Sequence, residues 1–331
     1  GANASGKSNL VRALQFMRDF VLHSSKESQA DEPINVERFR LSTATLDSPA
    51  YFQIVFYLGD RRYRYGLPDL NEDEPRKVIE NCAPCHSRRM SLDDNIHAHT
   101  DFLDYGLPQL LTEGMYFVDG QILEEVYVYG SFRQSRMHAA GVTCSDCHEP
   151  HSLALRGPGN AVCLQCHQAD KYDRSSHHFH AQASAGASCA ECHMPPRTYM
   201  VVDPRHDHSM RIPRPDLSVQ LGTPNACNNC HQDKDAAWAA KQVKAWYGAA
   251  PRGFQTYART LDAARHGAPD AGSGLAELIR DTQTPDIARA TALAEIGPYL
   301  SAATIDVLPL GLSDDAPAVR VAAGASSDKP S

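Results

Sequence analysis

The chain has 331 residues, enough for two or three domains with a sizeable core. A formal net charge of −8 excludes the basic face of a nucleic-acid binder, and 42% hydrophobic residues is ordinary for a globular protein. The apolar stretches are short and broken by charge, so none reads as a transmembrane segment, and no basic stretch followed by an apolar run marks a signal peptide.

The chain opens on GANASGKSNL, in which Gly1, Gly6, Lys7 and Ser8 fit the phosphate-loop pattern G-x-x-x-x-G-K-[ST]. Such a loop cradles phosphates on backbone N–H groups, with the lysine on the β/γ oxygens and the hydroxyl on Mg²⁺. A helix is expected over residues 6–23, where Leu10, Val11, Leu14, Met17 and Val21 fall at helical spacing. YFQIVFYL (51–58) and RRYRYGL (61–67) flank Gly59-Asp60 and read as a hairpin, and the acidic run NEDE (71–74) reads as a boundary. The strand that leads into a phosphate loop does not precede Gly1. No apolar strand ending in an acidic pair occurs before Cys82, so ATP and Mg²⁺ are not expected as working cofactors.

From residue 71 to 235 the character changes. All ten cysteines fall here as Cys-x-x-Cys pairs: Cys82/Cys85, Cys144/Cys147, Cys163/Cys166, Cys189/Cys192 and Cys227/Cys230. A histidine follows each pair at once: His86, His148, His167, His193 and His231. C-x-x-C-H is the c-type haem attachment signature. The two thiols reach the two vinyl groups on one edge of a porphyrin, and the histidine sits under the iron as an axial ligand. Zinc sites need four ligands each, so five pairs cannot be divided among four-cysteine sites, and neither zinc nor a disulfide framework explains the histidines. Five covalent haems c are therefore expected, with no catalytic side chain assigned.

This region is rich in Pro and Gly and poor in long periodic segments, so the haems are expected to form its core. A compact domain of this size has a radius of gyration of about 15 Å, which places the haems within electron-exchange range of one another. Nine further histidines are available as second axial ligands: His97, His99, His138, His151, His177, His178, His180, His206 and His208. His208, His151, His138, His178 and His177 are the preferred candidates. His151 is too near His148 to cross the same haem and is expected to serve a neighbour.

Residues 236–323 turn helical. AAWAAKQVKAWYG (236–248) reads as a helix stopped by Gly248. PDIARATALAEI (285–296) and PAVRVAAGA (317–325) echo each other with prolines 32 residues apart, the mark of stacked helical repeats. Residues 324–331 read as a disordered tail.

Taken together, ENCAPCHSRR, DGQILEEVYVYGSF, AGVTCSDCHEPHS, CLQCH, CHMPPRTYMVVDPRHDHSMRIPRPDLS and GTPNACNNCH resemble the bacterial multihaem c-type cytochromes with doubled CxxCH motifs and C-terminal tetratricopeptide-like or HEAT-like repeats. The resemblance runs from about residue 76 to 323. It implies haem c, electron transfer and an extracytoplasmic location; the expected partners are redox proteins, with the helical repeats as a candidate surface for a protein partner. It also favours His208 as a distal ligand. Members of that group usually carry a longer N-terminal part with further haem motifs. Residues 1–67 instead resemble the start of AAA-type ATP-binding proteins of the abortive-infection group. Haem is attached outside the cytoplasm, whereas phosphate loops work inside it. The reading is therefore a chimera of two unrelated fragments joined near residues 68–76.

The expected fold class is mainly α with much irregular structure: a truncated α/β P-loop fragment (1–70), a pentahaem cytochrome c domain organised around its haems (71–235), a helical repeat region (236–323) and the tail. The leading function is electron transfer. The alternatives are a multihaem oxidoreductase with one open iron acting on a small nitrogen or sulfur oxyanion and, third, a P-loop ATP-binding protein.

Two outcomes follow from the sequence. The intact mass of matured protein should exceed the bare chain by five haems, whereas ten alkylatable thiols in that material would refute the reading. Lys7→Ala should leave haem content and redox behaviour unchanged; a clear loss of electron-transfer rate would show instead that the N-terminal fragment is coupled to the haems.

Overall fold

The structure is a computed structural model that describes residues 15, 18, 52–58, 61–67, 75–93, 101–150, 154–249 and 252–327. The phosphate-loop residues Gly1, Gly6, Lys7 and Ser8 lie outside these, as do the Gly59-Asp60 turn, the acidic run 71–74, His97, His99 and His151. Of the expected helix 6–23, Gln15 and Arg18 are described, and both are helical and exposed. The expected hairpin is present: Phe52–Leu58 pairs antiparallel with Arg61–Leu67, in the register Phe52↔Leu67 through Leu58↔Arg61.

The rest is mainly α, with short elements and much irregular backbone, as expected. Helix Pro75–His86 carries the first motif. It packs through Ile79 and Ala83 onto Phe102, Tyr105, Tyr129 and Phe132, a small apolar cluster in which Phe102 meets Tyr105 and Tyr129 edge-on. Short helices then alternate with loops, and two small hairpins interrupt them, Arg89–Ser91 with Gly106–Pro108 and Pro196–Tyr199 with Asp203–His206. No helix among the described residues is long and apolar enough to cross a membrane.

The C-terminal helices follow their sequence signals. In Ala236–Tyr247 the Asp235 side chain accepts the Trp238 N–H at 2.7 Å, and Gly248 ends the helix at φ +76°, its N–H donating to Lys244 O. Ala258–Arg265, Ala271–Arg280, Asp286–Glu295, Val307–Leu312 and Pro317–Ser327 then pack on one another in succession. The two segments that echo each other in sequence lie face to face. Buried Arg289 in the first forms an ion pair with half-buried Asp314 just before the second. Helix Pro317–Ser327 runs into the expected tail because Ser326 is buried, its hydroxyl donating to Leu293 O at 2.7 Å and Ala322 O at 2.9 Å. Residues 328–331 lie outside the described residues.

The main apolar cluster crosses residue 235. Leu111, Tyr116, Ile122, Val126 and Tyr199 pack in one core with Tyr257, Leu261, Leu275, Ile279, Ile287, Leu293 and Val307. Buried polar contacts tie the same faces. Thr291 Oγ1 accepts from Leu111 N, Arg265 donates to Leu111 O, and the Arg133 and Asp286 side chains pair. The motif-bearing stretch therefore has an apolar core after all, and shares it with the C-terminal helices, which supply most of it.

Leu293 is fully buried where that core meets the last helix, next to Gly311. Leu293→Ala removes that packing and leaves a cavity, so it should cost about 3 kcal/mol of stability, read as a lower urea midpoint by circular dichroism.

Candidate functional site

Each motif rides on a short helical turn or on the end of a helix. The first closes Pro75–His86, the second lies on Cys144–Cys147, the fourth on Cys189–His193 and the fifth on Ala226–Cys230; the third begins inside Ala161–Leu164. Helical pitch puts the two cysteines, three residues apart, on one face, and the histidine one turn beyond the first. The backbone confirms this: the N–H groups of His148, His167 and His231 donate to the carbonyls of Cys144, Cys163 and Cys227 at 2.9, 3.0 and 2.9 Å. Local caps explain why such short turns form. Asp146 accepts from Thr143 N in a capping box, and the Asn225 side chain accepts from Asn228 N.

The motifs lie in chain order in space. Cys82 lies beside Cys144, and this contact lowers the Cys82 pKa and raises that of Cys144. Cys163 and Cys189 form a second such pair, lowering Cys189 to about 7. Asn160 joins the third and fourth motifs by accepting the Cys189 N–H at 2.9 Å while donating to Ala187 O. Burial, and then the neighbouring Cys227, push Cys192 up to about 11. All ten thiols are free. Among the described residues no three His, Cys, Asp or Glu side chains converge as a metal-ion site.

The two cysteines of three motifs differ in exposure. Cys85, Cys166 and Cys230 are exposed, whereas Cys82, Cys163 and Cys227, the leading cysteines of the same motifs, are half-buried. The reason is the contact between neighbouring motifs. In the first and third motifs the leading thiol turns inward, Cys82 onto Cys144 and Cys163 onto Cys189. Cys85 and Cys166 follow three residues later, at the outer rim. The adjoining histidines, His86 and His167, are exposed with them. A thiol at the rim can still reach a porphyrin edge, so the five-residue pattern keeps both cysteines as attachment candidates.

Three motif histidines are faced by an imidazole from elsewhere in the chain. His148 and His208 have ring centroids 6.4 Å apart with planes 22° from parallel. His193 and His177 stand 6.1 Å apart at 11°, and His231 and His180 stand 6.1 Å apart at 39°. A metal–imidazole bond is about 2.0 Å and the ring centre lies about 1.1 Å beyond the nitrogen, so two imidazoles on opposite sides of one iron stand about 6.2 Å apart. The residues present fit haem at these three motifs.

Hydrogen bonds prepare the nitrogens. The Nδ1–H groups of His208, His193 and His180 donate to the carbonyls of His206, Arg211 and His178 at 2.9, 2.8 and 2.5 Å. That selects the tautomer whose Nε2 carries the lone pair. Burial lowers the pKa of His208, His193 and His177, keeping the neutral form that can bind a metal. His208 is held from below by its neighbours. Asp207 accepts from Ile122 N and Ser209 N at 3.2 and 2.8 Å. Buried Arg211 bonds Ser209 Oγ and Asp119 O, and Gln255 donates to Ser209 O and Gln134 O.

The other candidates are placed differently. His138 packs edge-on against Phe132 at 5.6 Å, and burial, then the Arg133 charge, lowers its pKa to about 4. His178 accepts the His180 N–H on Nδ1, and its Nε2 is buried without a partner. His206 donates from Nδ1 to Met194 O at 2.7 Å. For His86 and His167 no second imidazole faces the ring among the described residues. His167 instead meets Tyr172 edge-on at 5.5 Å, and Tyr172 meets His177 at 5.4 Å. Sequence reasoning set His180 behind its neighbours His177 and His178. The available signal was the spacing of His177 and His180, which lets one short segment serve two motifs.

Comparison with known proteins also divides the chain. A family model described as "AAA domain, putative AbiEii toxin, Type IV TA system" matches residues 1–105. That interval reaches past the 1–67 expected from the sequence and takes in the first CxxCH motif, although Ile79, Ala83, Phe102 and Tyr105 pack with Tyr129 and Phe132 of the haem-motif region. A model of the doubled CXXCH motif matches residues 138–172, which hold the second and third motifs. No curated protein matches the chain. Among solved structures, the outer cell wall cytochrome OcwA is similar at 16% identity and a TM-score of 0.41; the match covers 79% of this chain and 65% of that one. The chain thus joins a stretch similar to an AAA domain to one that carries the doubled CxxCH motif, the attachment signature of haem c.

Proposed function

We propose that the chain is an electron carrier in which five covalent haems c form a row in motif order. The observation that carries this reading is the set of three imidazole pairs at 6.1–6.4 Å, each joining a CxxCH histidine to a distant residue. In this reading the ten cysteines anchor the haems, with Cys85 and Cys166 holding the outer edges of the first and third. His86, His148, His167, His193 and His231 are the proximal ligands. His208 is the distal ligand at the second motif, His177 at the fourth and His180 at the fifth. His138, His151 and His178 remain candidates for the first and third. Bound haem supplies a one-electron centre whose potential is set by its axial ligands and surroundings. The chain's part would be to offer histidines to the iron, with Nδ1 of His208, His193 and His180 tied to carbonyls, and to hold neighbouring motifs in contact.

Covalent attachment of haem places this part of the chain outside the cytoplasm, and its partners are other redox proteins. Residues 71–235 act as the haem domain. The helices of 236–323, read as HEAT-like or tetratricopeptide-like repeats, brace it and offer a surface to a protein partner.

The test pairs two variants. His208→Ala should convert one low-spin haem to a high-spin form that binds CO, seen in the optical spectrum, while His206→Ala should leave every haem low-spin. A wholly low-spin, CO-inert spectrum from the His208 variant would remove that ligand. In the unaltered protein a reductive titration should fill all five haems reversibly. Nitrite or sulfite should leave the spectrum unshifted, since a shift would favour an open iron and an oxidoreductase.

A further inference from the structure

The four residues 177–180 supply imidazoles to two motifs. His177 faces His193 and His180 faces His231. For two rings so close in sequence to face different partners, the backbone must turn sharply between them. The turn falls at Phe179, whose φ is +54°. Glycine or asparagine would take this left-handed conformation at little cost, whereas a bulky aromatic residue rarely does. The ring is also 37% exposed, so burial does not account for it.

Its contacts do. Phe179 lies flat on Trp246, with centroids 4.7 Å apart and planes 2° from parallel. Tyr247 meets it edge-on at 5.6 Å and donates its hydroxyl to His177 O at 2.5 Å. Trp246 also touches the His180 ring edge-on at 6.1 Å. One end of helix Ala236–Tyr247 therefore grips the segment at His177, Phe179 and His180. Nearer its start, Trp238 packs 4.8 Å from His231, the partner of His180. Gly186 also closes on the segment, where a Cβ would lie 2.3 Å from the His180 ring.

We propose that Phe179 and Trp246 are positioning residues that couple the axial ligation of the fourth and fifth motifs, so that the two distal histidines are held together and released together. The proposal rests on the bis-histidine reading given above. The left-handed turn at Phe179 sends His177 and His180 to different motifs, and the stack on Trp246 keeps that turn closed. Releasing the stack frees one segment, and both imidazoles leave with it.

The experiment uses the full-length, haem-loaded protein and counts CO-binding haems per chain, with electron paramagnetic resonance as the second readout. His177→Ala and His180→Ala should each yield one CO-binding, high-spin haem. Trp246→Ala should yield two, with covalent haem content unchanged by intact mass. Phe179→Gly should also yield two. It removes the ring while easing the backbone conformation, so it separates loss of the stack from a folding defect. Trp246→Phe, which preserves a stacked ring, should restore the fully low-spin spectrum. If Trp246→Ala and Phe179→Gly leave every haem low-spin, or release only one, the coupling is refuted. If instead the single histidine variants stay low-spin, the ligand assignment itself is wrong.

Discussion

An iron with two imidazoles requires two rings held about 6 Å apart with no side chain of the protein between them. Most folds close such a gap, because packing density leaves few voids larger than a water molecule. Here three ring pairs are held at this separation at once. Much of the surrounding structure can be understood as the means of holding them. The motif side is stiffened by helical turns only four or five residues long, too short to be stable alone, with caps supplied by Thr143, Asp146 and Asn225. On the opposite side, His208 and His180 have their ring orientation set by bonds to backbone carbonyls, and His177 lies in the helical turn Ser175–His178.

Loops of this kind need an anchor. The segment bearing His208 rests on Asp207, Ser209 and Arg211, which reach Ile122, Asp119 and Gln255. Tyr257 continues the network to Gln134 at 2.5 Å. Arg211 and Asp119 are both buried, 3.5 Å apart. A buried ion pair contributes little net stability compared with an apolar pair, yet breaking it is costly, so it serves mainly to fix one arrangement. The segment bearing His177 and His180 is anchored differently, by aromatic stacking on helix Ala236–Tyr247. Residues C-terminal to 235 thus touch both histidine-bearing segments, and the apolar core likewise runs across residue 235.

The N-terminal third carries a different likeness. Its similarity to an AAA domain extends to residue 105, yet helix Pro75–His86 and residues 102–105 are packed with Tyr129 and Phe132. Cys82 touches Cys144 of the second motif. Physically, the first motif sits with the other four. The phosphate-loop signature lies far upstream of that packing, and nothing among the described contacts of the haem-motif region calls for it.

Local chemistry made much of this legible in the sequence. The pairing of ten cysteines with five histidines is a covalent requirement of one porphyrin edge, so it is written within five consecutive residues. The hairpin 52–67, the helix ending at Gly248 and the two echoing helices depend on nearest-neighbour periodicity and caps, and they were readable for the same reason. Tertiary structure alone decided which imidazole crosses to which motif. His208 meets His148 from 60 residues away, and His180 meets His231 across 51. No spacing rule constrains such distances, because the intervening chain is free to turn in many ways. The outward placement of Cys85 and Cys166 is of the same kind, since identical motifs differ in exposure only through the neighbour each one packs against. So are the left-handed turn at Phe179, the contacts of Asp207 and the burial of Ser326. Each is set by a partner far along the chain, and that partner is in place only once the chain has folded.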